Sequence, residues 1–227
     1  MKIGKRLKNF KAKIENGKAY SVDEAVKLVK ETAGAKFDTT IEAHVSLGID
    51  PKKGEQIVRA SVNLPHGTGK KVRIAAFVPD TEASKAKDAG ATIAGGETLI
   101  EEIKKTGKCD FDVAITVPDM MKNLASIARV LGQKGLMPNP KTGTIGTDIV
   151  KMIDELKKGK VTYKNDDTAN VHLALGKASY TEEQIKANFD VFIDSVKKAK
   201  PQNTKGTYIK SIYLSSTMGP SIKVSVN

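Results

Sequence analysis

The chain has 227 residues, enough for two ordinary domains that each bury a core. Its 38 Lys and Arg against 26 Asp and Glu leave a formal charge of +12 and a pI near 9.5, which points to a polyanionic partner. No apolar run approaches the roughly 18–20 residues of a spanning helix, "IAAFV" (74–78) being about the longest, so the reading is of a soluble protein with no membrane partner.

The N-terminus carries Lys2, Lys5, Arg6, Lys8, Lys11 and Lys13 before the first acid, Glu15, and has neither the apolar stretch nor the small-residue site of a signal peptide. It reads as a helical arm that is either solvated or laid on phosphates. "SVDEAVKLVKETA" (21–33) opens with a capping box, Ser21 with Glu24, and places Val22, Ala25, Val26, Leu28 and Val29 on one face of a helix. Period-two alternation in "TIEAHVSLGI" (40–49) and the apolar "IVRASVNL" (57–64) mark two strands around "DPKKG", expected to pair as a β-ribbon.

From "VRIAAFV" (72–78) to "TDIVKMIDELKKG" (147–159) strands and helices alternate, including a helix over "DMMKNLASIARVLG" (119–132), and this pattern implies a parallel sheet covered by helices. Alternating strands then return in "KVTYKN" and "NVHLALGK". A second capped helix, 181–200 with Thr181 and Gln184 as its box, is followed by "YIKSIYLSST" and "IKVSV".

The outer segments resemble each other more than either resembles the middle. The economical organisation is an α/β domain, 68–159, inserted into a split α+β domain made of 1–67 and 160–227. Gly67, Gly69 and Gly159 mark the crossings and are the expected hinge positions. The split domain holds 23 basic and 14 acidic residues against 15 and 12 in the insert, so it is the expected polyanion binder.

Catalytic signatures are missing. "HGTGKK" (66–71) would need glycine at Leu64 and a hydroxyl at Lys71 to be a phosphate loop, so it reads as a flexible crossing whose Lys70 and Lys71 are still expected to be within reach of phosphate. "AGGETLIEE" (94–102) lacks a dinucleotide fingerprint, and the adjacent acids Glu101–Glu102, Asp166–Asp167 and Glu182–Glu183 read as solvated surface. Cys109 is alone, and His44, His66 and His172 have no zinc-ligand spacing, so no metal or cofactor is expected and a reducing, cytoplasmic setting follows. The competing reading is an enzyme whose inserted domain binds ATP or NAD, which a thermal shift with either nucleotide would reveal.

Two loops are candidates for nucleic-acid contact. "KGLMPNPKTGT" (134–144) is stiffened by Pro138 and Pro140 and presents Lys134 and Lys141, equally compatible with a phosphate platform and with a connection packed on its own domain. "AKFDTTIE" (35–42) sets Lys36 and Phe37 at a strand mouth, either as core or as a base-packing pair.

Read in order, "KFDTTIE", "LGIDPKK", "LPHGTGK", "GLMPNPKTGT", "VHLALGKAS" and "SSTMGPSIKV" make the chain resemble the L-one family of ribosomal proteins, in its bacterial form, from the first capped helix nearly to the C-terminus. The resemblance implies a non-enzymatic protein, cytoplasmic and on the ribosome, with a split α+β (β-α-β type) RNA-binding domain and an inserted Rossmann-like three-layer α/β domain joined by a two-strand hinge. Its implied partners are large-subunit rRNA, where it forms the mobile stalk, exit-site tRNA, whose release it assists, and its own operon mRNA, which it represses; the free protein is expected as a monomer.

The resemblance also implies that the turn of Thr217, Met218 and Gly219 faces RNA. Thr217 would offer a hydroxyl, Met218 an adaptable apolar contact, and Gly219 room for close backbone approach. Lys36, Phe37, Thr40, Glu42, His172 and Ser211 carry over to the same face, with Lys70, Lys134 and Lys141 as secondary RNA or tRNA contacts. The chain departs from the family at Thr39, where Glu is usual, and in the turn Asp166-Asp167-Thr168-Ala169, where a Lys and a Gly are common. The expected result of the acid at Asp167 is weaker RNA affinity.

Overall fold

The computed structural model describes residues 4–15 and 17–225; Lys2 of the basic arm and Val226 of the last predicted strand lie outside them. The chain folds into two compact units, one made of residues 1–69 and 161–227 and the other of 70–160.

In the first unit, helix α1 (Lys5–Lys11) precedes α2 (Val22–Glu31), strand β1 (Thr40–Leu47) and the shorter β2 (Arg59–Asn63). After the second unit the chain returns through β6 (Lys160–Lys164), β7 (Asn170–Lys177), α8 (Glu182–Lys198), β8 (Ile209–Ser216) and β9 (Ser221–Val224). Both capping boxes form: Ser21 and Glu24 exchange bonds of 3.4 and 3.2 Å, and Thr181 and Gln184 bonds of 3.2 and 3.0 Å. Each box satisfies two backbone N–H groups left open by the first helical turn.

The expected ribbon between 40–49 and 57–64 is not what forms. β1 lies between β7 and β8, antiparallel to both, in a sheet of order β7-β1-β8-β9, and β2 pairs with β6. The reason is visible in the connection: the segment after β1 winds through a 3₁₀ turn, Gly54–Gln56, and is far longer than the few residues of a hairpin. Strict alternation also lets β1 bury Ile41, Ala43, Val45 and Leu47 on one side of the sheet. These pack with Val26 and Val29 of α2 and Ile185, Phe189, Phe192 and Val196 of α8 in one core. Two helices thus cover a single face of the four-stranded sheet.

In the second unit β3 (Ile74–Phe77) is the central strand of a parallel sheet of order β4-β3-β5, with β4 at Ile93–Gly95 and β5 at Val113–Thr116. All four residues of β3 are buried, as they must be when helices cover both faces of a three-layer α/β unit. The helices are α3 (Asp80–Asp88), α4 (Glu97–Thr106), α5 (Met121–Leu124), α6 (Ala128–Gln133) and α7 (Ile149–Lys157). The single helix expected over 119–132 is instead broken by 3₁₀ turns at Pro118–Met120 and Ala125–Ile127. At the second break the Ser126 hydroxyl donates to the Asn123 carbonyl at 2.8 Å, and Asn123 itself donates to Glu97, so side chains compete with the helical ladder.

Asn188 of α8 is fully buried and clamps the chain just before it leaves the first unit. Its amide donates to the carbonyls of Gly67 and Leu175 at 2.9 and 2.7 Å and its oxygen accepts from the His66 N–H at 3.1 Å. Replacing it with alanine strands the buried Leu175 carbonyl, which costs about 1–3 kcal/mol when left unpaired, and removes two part-buried bonds at His66 and Gly67. Asn188→Ala is therefore expected to destabilise the first unit by at least about 2 kcal/mol. Urea titration followed by tyrosine fluorescence checks this selectively, because the chain has no Trp and Tyr20, Tyr163, Tyr180, Tyr208 and Tyr213 all belong to that unit.

Candidate nucleic-acid interface

Because α2 and α8 take one side of the β7-β1-β8-β9 sheet, the alternate residues face away from them. Strand parity puts Thr40, Glu42, His44 and Ser46 of β1 on this open face, with Asn170 and His172 of β7, Ser211, Tyr213 and Ser215 of β8, and Lys223 of β9. It is a polar platform carrying a few rings. Thr40, Glu42, His172 and Ser211 are among the residues expected from the sequence, whereas His44, Tyr213, Ser215 and Lys223 are not. The same period-two count run on from Thr40 and from Ser211 reaches His44, Tyr213 and Ser215, whereas Lys223 lies on β9, beyond the turn that ends β8.

One end of the platform is built around Thr40. Thr217 N–H donates to the Thr40 carbonyl at 3.0 Å, and the Thr217 hydroxyl lies 3.2 Å from Thr40 N and 3.3 Å from Thr40 O. That hydroxyl is therefore spent on fixing the turn to β1 and is not a free donor. Lys177 donates to the Thr40 hydroxyl at 3.0 Å. The loop before β1 is pinned by Asp38, which accepts from Ser179 N and Oγ at 3.1 and 2.9 Å. With its neighbours tied down, Phe37 is 54% exposed and Met218 is 70% exposed, which removes the core reading for Phe37. Lys36 beside it is exposed as well. Ser211 lies opposite Ser46, six residues along β1 and so about 20 Å from Thr40 at roughly 3.4 Å per residue, on the same face but at its far end.

Met218 holds φ 62, the left-handed region that side chains other than Gly adopt at a cost. Gly219 follows because a Cβ there would overlap the Ser216 hydroxyl, while its N–H donates to the Ser216 carbonyl at 2.8 Å. A strained, exposed methionine on a tightly fixed turn is a side chain presented outward, not packed. In the turn of Asp166 to Ala169, Ala169 holds φ 64, a backbone conformation that favours glycine.

The centre of the platform is a polar chain across three strands. His172 Nε2 lies 3.5 Å from Asp166 Oδ2, His172 Nδ1 is 2.7 Å from His44 Nδ1, and His44 Nε2 is 2.9 Å from Ser215 Oγ. With the His172 Nε2–H donating to the Asp166 carboxylate, His44 Nδ1–H donates to His172 Nδ1 and the Ser215 hydroxyl donates to His44 Nε2, an assignment that gives every member a partner. Asp166 stays ionised: burial pushes its carboxyl up, but hydrogen bonds from Asn170 and Thr168 outweigh this and hold it at about 2. Asp167 is exposed beside it.

The second unit treats its three candidate lysines differently. Lys70 donates to Asp112 at 2.9 Å in a cluster with Arg73, and Lys134 donates to the Gly107 carbonyl at the end of α4 at 3.1 Å. Lys141 is exposed on a loop braced by Asn139, whose Oδ1 accepts from Lys141 N–H and whose carbonyl accepts from the hydroxyls of Thr142 and Thr144. At the crossings Gly67, Gly69 and Gly159 hold φ of 61, 73 and 106. Among the described residues no helix is long and apolar enough to cross a membrane, and no group of three or more His, Cys, Asp or Glu could hold a metal ion.

A basic chain with an uncovered polar sheet, rimmed by an exposed aromatic, a lysine and a strained turn, has the construction of a nucleic-acid-binding protein. The comparisons with known proteins define the group. A model described as the Ribosomal protein L1p/L10e family matches residues 29–220. The Large ribosomal subunit protein uL1 of Mesoplasma florum is 48% identical over 226 residues, covering 100% of this chain and 99% of the relative. The proteins of the same name from Mycoplasma capricolum subsp. capricolum and Prochlorococcus marinus are each 48% identical, over 223 residues (98% of both chains) and 225 residues (99% and 95%). The chain belongs to the Ribosomal protein L1p/L10e family. Membership in a ribosomal-protein family sets aside the enzymatic reading.

Two outcomes follow from the site's strain and charge. Burial, and then the neighbouring His172, lower the His44 pKa, with Glu42 opposing more weakly. The unfolded state is then the better proton binder between that lowered value and the ordinary His value of about 6.5, so stability falls as pH drops through this window. The urea midpoint of the first unit is expected to fall between about pH 7.5 and about pH 5.5, and to fall less in His44→Gln; parallel curves would assign the effect to another group. Met218→Gly relieves about 1–2 kcal/mol of left-handed strain and costs about 0.4–1 kcal/mol through a freer unfolded chain. A net gain of between about 0 and about 1.6 kcal/mol is expected in the same titration.

Proposed function

We propose that the protein is a structural constituent of the large ribosomal subunit, cytoplasmic and on the ribosome, where the open sheet face of the first unit binds large-subunit rRNA. The observation that carries this reading is the rim at Thr40. Phe37 and Met218 stand exposed there, on loops whose backbone is fixed by Asp38 and Thr217. Exposed apolar side chains held rigid suit stacking on bases or riboses, and the relatives' shared name supplies the kind of RNA.

In this reading Lys36 meets phosphate, Lys177 braces Thr40, Glu42 and Ser211 serve 2′-hydroxyls or base amines, His172 presents a ring held by Asp166 and His44, and Gly219 lets the backbone close in. Thr217 acts by holding the turn. Lys141 is the readier of the second-unit contacts for RNA or tRNA, since Lys70 and Lys134 already have partners. Backbone rotation at the crossings falls to Gly69 and Gly159, Gly67 being clamped by Asn188. The monomeric protein would form the mobile stalk, assist release of exit-site tRNA and repress its own operon mRNA through the same face, since one RNA-shaped surface serves both rRNA and mRNA.

Binding of a folded large-subunit stalk rRNA fragment across a salt series tests the reading. Phe37→Ala and Met218→Ala are each expected to lose about 1–3 kcal/mol, the scale of a lost stacking contact. In the same series Asp167→Lys is expected to bind more tightly and to steepen the salt dependence, since it replaces an exposed acid with a phosphate ligand. Tight binding untouched by both alanines would move the site to the second unit, and no binding by the unaltered chain would overturn the proposal.

A further inference from the structure

The basic N-terminal segment is a docked element. Leu7, Phe10 and Ile14 recur at helical spacing and are half-buried, while Lys5, Lys8 and Lys11 are exposed. Three contacts seat α1 at the mouth of the loop that carries Lys36 and Phe37. Arg6 donates to the Gly34 carbonyl at 3.2 Å, Lys13 lies 3.9 Å from Glu31, and the Phe10 ring lies so close over Gly34 that a Cβ there would come within 2.5 Å of it. Gly34 is three residues from Phe37, so the two are at most about 11 Å apart at 3.8 Å per step.

The division of labour among the cations is informative. Arg6 on the helix and Lys13 just past its end are used for docking, whereas Lys5, Lys8 and Lys11 make no ion pair among the described residues, and α1 itself contains no acid. A helix spending its apolar side and two cations on one seat, and leaving three further like charges bare, accepts self-repulsion that a polyanion would relieve.

Resting on the RNA-binding reading above, we infer that α1 is a second, phosphate-binding arm of the interface, with Lys5, Lys8 and Lys11 neutralising RNA backbone phosphates next to the nucleotide packed on Phe37. These contacts add affinity without reading sequence, because phosphate carries none.

The test is the salt slope of binding to the folded rRNA fragment. Each neutralised phosphate contributes about 0.7–0.9 to the slope of log K against log salt. Lys5→Gln/Lys8→Gln/Lys11→Gln is expected to flatten the slope by about 2. A matched triple on the helices covering the other side of the sheet, Lys27→Gln/Lys197→Gln/Lys198→Gln, removes the same net charge from exposed positions and is expected to leave the slope near that of the unaltered chain. Equal slopes for the two triples would overturn the inference while leaving the open-face reading intact, since Phe37→Ala still reports on that separately. Absence of binding by the unaltered chain would overturn the open-face reading, and the arm with it.

Discussion

Everything in the first unit depends on β1 having strands from the far end of the chain on both of its edges. Glu42 sits between Ala174 and Ser215, and His44 between His172 and Tyr213, across separations of about 130 and 170 residues in sequence. Closing such loops costs entropy that local hydrogen bonds cannot offset, so the closure rests on the continuous core of Ile41, Ala43, Val45 and Leu47 under α2 and α8. The same arrangement leaves the opposite face bare. Two helices cover one side, among the described residues of this unit no further helix crosses back over the other, and the polar residues of four strands are left as a surface.

The secondary structure of this chain is written plainly in its periodicities. Ser21 with Glu24 and Thr181 with Gln184 announce two helices, and the alternation of 40–47 announces a strand buried on one face only. Pairing is a different matter. Residues 57–64 follow β1 in the chain and carry a strand pattern, yet β1 goes to β7 and β8, because partner choice is decided by which faces share a core and not by adjacency. The broken helix around Ser126 was hidden for a related reason: a hydroxyl reaching back to a carbonyl leaves no mark on the hydrophobic pattern.

The candidate site was partly readable in the same way. Motif order pointed to Phe37 and to Thr217 through Gly219, and the structure brings these to one rim. It also redistributes their roles, because a hydroxyl's partners cannot be read from sequence: Thr217 is consumed by Thr40, and Lys70 and Lys134 by Asp112 and Gly107. His44 shows the converse. A lone histidine in a strand carries no signal until register sets it opposite His172, and only then does it become the link holding that ring in place.

The interruption of the sheet by an entire second unit has a bearing on biosynthesis. Residues 70–160 leave the ribosome as a complete folding unit, with a core that owes nothing to the rest of the chain. β1, by contrast, is made early and must wait through that whole interval with both edges unpaired, until β7 and then β8 emerge. Because Thr217 is what fixes the turn to Thr40, the rim takes shape only after β7, α8 and β8 have followed the whole second unit out of the ribosome, long after β1 itself was made.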